Sequence, residues 1–128
     1  MKVSFDFDNT LTRKDVQEVA KQLVDKGIEV WIVTSRFDDE SAMKKNWHWS
    51  QGQNKSVFEI ANYCSIKKEH IKFTCMESKS NFIKDKNFIF HLDDDVIELL
   101  DILDSGDKCK AINVDHNDWK EDCLKFIK

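Results

Sequence analysis

The chain opens with a short apolar strand that runs directly into acid, Met1-Lys-Val-Ser-Phe-Asp-Phe-Asp-Asn-Thr-Leu-Thr12. Residues two apart in a strand project to the same face, so Asp6 and Asp8 emerge together where the strand ends. Open parallel α/β sheets place their ligands at that C-terminal end. Two carboxylates sharing a site repel each other unless a proton or a cation stands between them. Hard divalent cations take oxygen ligands, and Mg²⁺ keeps its waters and needs few carboxylates beside a substrate phosphate. The opening segment therefore reads as a candidate Mg²⁺ and phosphate site.

The remaining hydrophobic pattern alternates between strand and helix. Thr12 is placed to cap a helix in which Asp15 lies in the first turn and Val16, Val19, Ala20, Leu23 and Val24 form the apolar face. Gly27 stops that helix, and a second strand over 28–33 follows. Asp38, Asp39 and Glu40 start a helix carrying Met43 and Trp47 and reaching toward Trp49, with a polar loop at 51–54. Val57, Phe58, Ile60, Ala61 and Cys64 mark another helix, then a short strand over 70–75 and a helical turn at Phe82 and Ile83. A strand over 88–92 and a helix with Val96, Leu99, Leu100 and Leu103 ending near Gly106 come next. A strand over 111–114 and an amphipathic helix through Trp119, Cys123, Leu124 and Ile127 complete the chain. Such alternation predicts a three-layer, Rossmann-like α/β fold around a central parallel sheet, and 128 residues make it one domain, 1–128.

Composition narrows the function classes. No apolar run is long enough to span a bilayer, and the N-terminus enters a strand without a signal peptide's apolar core, so a cytoplasmic chain is expected. Cys64, Cys75, Cys109 and Cys123 are widely spaced with no CxxC pair, which favours reduced thiols over two disulfides. The net charge of −4 excludes a surface that attracts nucleic acid everywhere, although lysines crowd residues 67–86. The absence of a GxxxxGK[ST] loop excludes a P-loop kinase.

Two more strand ends carry chemistry. Val30-Trp-Ile-Val-Thr-Ser-Arg36 ends in hydroxyls, Phe88-Ile-Phe-His-Leu-Asp-Asp-Asp95 ends in carboxylates, and Lys79 lies between them in Glu77-Ser-Lys-Ser-Asn-Phe-Ile83. With Asp6, Asp8 and Thr10 these residues resemble, in order and placement, the four motifs of the haloacid dehalogenase (HAD) superfamily of phosphohydrolases. The resemblance covers residues 1 to 100 and implies a HAD-like fold and an aspartyl-phosphate mechanism. It assigns Asp6 as nucleophile and metal ligand, and Asp8 as general acid and base whose backbone carbonyl also meets the metal. Thr34 and Lys79 would attend the phosphoryl group, with Thr10 and Ser35 at the substrate. Asp93 and Asp94 would complete the Mg²⁺ shell, one directly and the other through water or by orienting Lys79. Lys84 and Lys86 are rivals for the motif lysine.

Other residues have two readings. Arg36 would either grip a substrate phosphate or carboxylate, or pair with Asp38 or Asp39. Asp95 suits a helix start, and His91 reads as a satisfied interior histidine. The tryptophans of Trp47-His48-Trp49 either cover the sheet or, for Trp49, stack on a base or sugar at an open rim. The first inter-motif gap holds one helix, and the second holds only what the core requires, so no substantial cap is expected. The chain is in this respect similar to the phosphatase half of polynucleotide kinase-phosphatases. The expected activity is a Mg²⁺-dependent phosphomonoesterase on nucleic-acid 3′-phosphate ends or nucleotides. The alternatives are a phosphatase of phosphoproteins or sugar phosphates, or a binding and regulatory module that keeps the fold without turnover.

Overall fold

The computed structural model describes residues 1–48 and 52–127. Apolar strands with no polar face can satisfy their backbones only beside one another, under helices on both sides. They do so here as one sheet, β1 (Lys2–Phe5), β2 (Glu29–Thr34), β3 (Ile71–Phe73), β4 (Phe88–Asp93) and β5 (Lys110–Asn113). Its order is β3-β2-β1-β4-β5, and every neighbouring pair is parallel. The chain therefore moves outward from β1 on one side, then returns to its other side for β4 and β5. That reversal makes the carboxyl ends of β1 and β4 a topological switch point, the place where such sheets open a crevice. Phe5 lies opposite Leu92, so Asp6 and Asp93 end adjacent strands.

The helices are α1 (Lys14–Asp25), α2 (Asp39–Lys44), α3 (Lys55–Cys64), α4 (Lys79–Ile83), α5 (Val96–Asp104) and α6 (Trp119–Leu124). Residues from α1, α3 and α6, including Val16, Leu23, Val57, Ala61, Trp119 and Cys123, pack with Phe5, Ile32 and Leu92 into the larger core. On the opposite face Ile83 of α4 and Ile102 of α5 close a smaller core over Val33 and Phe88. The result is the predicted Rossmann-like, three-layer α/β arrangement. No helix among the described residues is long and apolar enough to cross a membrane. The four cysteines are free thiols, Cys64, Cys109 and Cys123 buried and Cys75 half-buried.

Two helix boundaries depart from the sequence reading for identifiable reasons. Thr12 does not cap α1: its N–H donates to Phe7 O (3.2 Å) in a wide turn, which delays the helix to Lys14 with Arg13 at its N-cap. The helix predicted through Trp47 stops at Lys44, because Asn46 adopts a left-handed φ of 59° and Trp47 N–H returns to Ala42 O at 3.1 Å. That hydrogen bond and the left-handed residue before it form a C-terminal cap for which asparagine is the usual substitute for glycine. Trp49 lies outside the described residues. Gly27, at φ +83°, closes α1 in the same way, with Ile28 N–H donating to Leu23 O at 3.0 Å.

Asp95 caps α5, its Oδ1 accepting from Ile97 N–H at 3.0 Å and Glu98 N–H at 3.4 Å. Asp95→Ala is expected to lower stability by about 1 kcal/mol. Urea denaturation checks this as a lower midpoint at unchanged slope.

Candidate functional site

Asp6 is placed by the last rung between β1 and β4, its N–H donating to Leu92 O at 2.8 Å. The chain then folds back through Phe7–Leu11, where Leu11 N–H donates to Asp6 O (3.1 Å) and Asn9 takes φ 59°. Asparagine tolerates this left-handed conformation better than most residues. Phe7 and Leu11 are buried and anchor the turn, while Asp8 and Asn9 between them face solvent. The return brings the Thr10 hydroxyl under Asp6, where it donates to Oδ2 at 3.1 Å. Thr10 is fully buried, so its hydroxyl positions Asp6 and does not itself line the cleft.

Lys79, only 2% exposed, stands at the start of α4. Its backbone N–H is held by the Glu98 carboxylate of α5 at 2.8 Å. Its ammonium donates to Asp6 Oδ1 and Asp93 Oδ2, both at 2.7 Å, and so bridges the ends of β1 and β4. Lys84 caps the other end of α4, and Lys86 meets Phe82 O, so neither rival lysine reaches the carboxylates. Asp93 has further partners. Its Oδ1 accepts from Asp95 N–H at 3.0 Å, and its Oδ2 lies 2.7 Å from His91 Nε2. An ionised carboxylate can only accept, so Nε2 carries the histidine proton and Nδ1 accepts from the Ser4 hydroxyl at 2.7 Å.

These partners divide the charge unequally. Burial raises the Asp93 carboxyl, but the His91 hydrogen bond and the Lys79 charge more than offset it, and Asp93 is held well below the usual carboxylate range. Burial and the facing charge of Asp93 push Asp6 up, to about 8, against the opposing pull of Lys79. Lys79 is lowered by burial yet raised overall by its two carboxylates, and burial holds His91 below its ordinary value. One interior cation thus serves two buried carboxylates with Asp94 close by. Asp6, Asp93 and Asp94 each offer an oxygen, and these oxygens lie within 4.8 Å of one another.

Asp8 joins that cluster through no side-chain oxygen. Arg36 grips it instead, Nε to Oδ2 at 2.9 Å and Nη2 to Oδ1 at 2.7 Å. This replaces the expected pairing of Arg36 with Asp38 or Asp39, since Asp38 caps α2 by accepting from Ser41 N–H and Asp39 accepts from Asn54. Thr34 is buried at the end of β2, and its Oγ1 accepts from Arg36 N–H at 3.3 Å, which leaves its own proton for donation. Ser35 lines the cleft with Asp6, Asp8, Asn9, Lys79 and Asp93–Asp95, around a volume of about 270 Å³.

Sequence reasoning overlooked two contributors, Ser4 and Glu98, while His91 is the satisfied interior histidine it read. Ser4 and His91 are cross-strand partners in the β1–β4 register, and His91 shares a strand face with Asp93, so the relay behind Asp93 was implicit in the pleat. Glu98 carried no signal, because its role depends on how α5 packs against α4. Comparison of the chain with protein-family models, curated proteins and solved structures returned no match.

Removing the bridging charge should leave two buried carboxylates without their shared cation. Lys79→Met is therefore expected to destabilise by about 3 kcal/mol or more, with partial recovery when Asp6→Asn is added. Denaturation of the two variants in chelator measures this. A pH dependence follows from Asp6. The folded chain retains a proton on a group raised from 3.8 to about 8, while the unfolded chain has released it. Stability should therefore fall as pH rises toward 8. Titration of His91 in the unfolded chain, at 6.5, opposes this only at lower pH. Melting temperature in chelator should decline between pH 6.5 and 8, and Asp6→Asn should flatten that decline.

Proposed function

We propose that the chain is a Mg²⁺-dependent phosphomonoesterase of the HAD type that works through an aspartyl-phosphate on Asp6. The observation that carries this reading is the placement of Asp6. It is a strand-end carboxylate fixed by Thr10 and Lys79 at the switch point of a parallel sheet, with Asp8 two residues on. A fixed carboxylate with one face toward an open cleft is arranged to attack phosphorus and divide hydrolysis into two easier steps. An Asp6 oxygen bonds to phosphorus, the ester P–O bond breaks, and Asp8 delivers a proton to the leaving oxygen. Water then adds to the same phosphorus as Asp8 takes its proton, and the bond to Asp6 breaks to release phosphate.

Lys79 and the Ser35 N–H are the donors for the charge that spreads over the phosphoryl oxygens. Thr34, which like Thr10 is buried and does not line the cleft, steadies the Ser35–Arg36 backbone from behind through its hydroxyl oxygen. Arg36 holds Asp8 by both oxygens, and a phosphate entering the cleft is a competing acceptor for the same guanidinium. Substrate binding would then release Asp8 toward the leaving oxygen.

The donor set fits Mg²⁺. Asp6, Asp93 and Asp94 supply hard oxygens, and Asp6 is raised by burial and by the facing charge of Asp93 beyond what Lys79 offsets, a conflict that a bound cation would relieve. When bound, Mg²⁺ supplies the positive charge that lets these carboxylates ionise together beside a phosphate. Asp6 and Asp94 are the ligands with most capacity left, since Asp93 accepts from Lys79, His91 and Asp95. The cleft admits large esters, and nucleic-acid 3′-phosphate ends or nucleotides are the substrate class we favour.

Asp6→Asn preserves shape but removes the attacking charge, so turnover of a simple aryl phosphate should drop roughly 10³-fold or more. Full activity in that variant would sink the mechanism. Because Asp6 must lose its proton, Mg²⁺ binding at pH 7 should release up to about one proton. Calorimetry in two buffers of different ionisation enthalpy reads this directly, and identical heats would count against the metal site.

A further inference from the structure

Beside the carboxylate cleft lies a second pocket, of about 180 Å³, whose apolar walls are Phe37, Ala42, Trp47 and Met76. Phe37 and Trp47 meet edge to face, with ring centroids 5.0 Å apart and planes at 77°. Ser35 lines both cavities, and Arg36 lines this pocket while its guanidinium holds Asp8 in the other. The two cavities thus adjoin at Ser35, which puts the aromatic pocket on the side of the cleft where Arg36 holds Asp8.

The walls are fixed without help from a ligand. Asn54 is buried at the base, where its Nδ2 donates to Phe37 O at 2.8 Å and to Asp39 Oδ1 at 3.0 Å. Arg36 Nη1 donates to Gln53 O at 2.6 Å and so ties the adjoining segment to the same frame. The cap at Asn46 turns Trp47 out of α2, and Trp47 lines the pocket with Ala42. Ligand pockets of this kind are apolar with a few placed polar groups, and here Ser35, Asp39, Gln53 and Asn54 line the cavity beside the apolar walls.

We infer that this pocket is the leaving-group subsite of the proposed phosphatase and takes the planar heteroaromatic base of a nucleotide; the inference rests on the phosphatase reading. Size, shape and polarity agree. A cavity of about 150 Å³ holds one benzene ring, so this one suits a single flat ring system rather than a stack of several. Two aromatic rings and a thioether favour a π-face. The polar residues among the lining offer donors and acceptors for the ring nitrogens and exocyclic amine of a base edge. A sugar lacks the π-face that the aromatic walls favour, and an alkyl group would leave the polar lining unpaired.

The test compares turnover of a nucleoside 3′-monophosphate and of glycerol phosphate by the unaltered chain, Trp47→Ala and Ala42→Leu. Trp47→Ala removes one wall, and Ala42→Leu fills the cavity from α2. The unaltered chain should prefer the nucleotide through a lower KM. Trp47→Ala should raise that KM about tenfold with little change in kcat, so that the nucleotide-to-glycerol-phosphate ratio of kcat/KM collapses. Ala42→Leu should do the same, provided circular dichroism shows it folded. An unchanged ratio in a folded variant overturns the subsite. Absence of turnover of either ester instead removes the phosphatase reading, and titration with unphosphorylated adenosine then decides the pocket alone. Saturable shifts of the Trp47 indole N–H signal that vanish in Ala42→Leu uphold a base site, and no shift rejects it.

Discussion

The buried ammonium of Lys79 is the interaction on which the site's geometry depends. It joins β1 to β4 through Asp6 and Asp93, and its own backbone is fastened to α5 through Glu98. Four elements thus converge on one charge. Buried ion pairs are weak sources of stability, because desolvation offsets most of the Coulombic gain. What such a bridge does supply is position. With the ammonium fixed, the two carboxylates cannot rotate away from each other, and the crevice between the strand ends keeps its shape.

The asymmetry between those carboxylates has a simple origin. Asp93 has a histidine, a lysine and a backbone N–H, whereas Asp6 has a lysine and a threonine hydroxyl. The better supplied group is held below the usual carboxylate range, and burial with the facing charge of Asp93 pushes the other above it. Two acids on adjacent strand ends are thereby set for different tasks by their surroundings alone. Farther out, Arg36 lines the aromatic pocket and grips Asp8, so the two cavities answer to one guanidinium.

The parallel sheet was legible in the sequence because short, largely apolar strand runs alternate with segments of helical periodicity. Asp6, Lys79 and Asp93 were legible because strand ends and a helix start gave them a shared address. Thr10 was found at the right place but with a different task, since only the fold-back of the Phe7–Leu11 turn reveals that its hydroxyl meets Asp6. Arg36 showed the opposite limit. Of its two readings, a grip on substrate or a pair with Asp38 or Asp39, the second fails because local capping engages Asp38 and a contact from Asn54 engages Asp39. Helix ends were the least legible, because a left-handed asparagine at 46 or a wide turn before α1 leaves no trace in hydrophobic spacing.

The sheet order also has a consequence for synthesis of the chain. The strands β1, β2 and β3 are complete once residue 73 has emerged, but β1 then forms an open edge until β4 arrives at residues 88–93. That edge carries Val3 and Phe5, which are fully buried in the finished sheet, and it offers unpaired backbone groups beside them. Exposed apolar edges of this kind pair with other chains. The nascent half-sheet is therefore the state of this protein most exposed to aggregation, and docking of β4 is the step that both ends that exposure and brings Asp93 to Lys79.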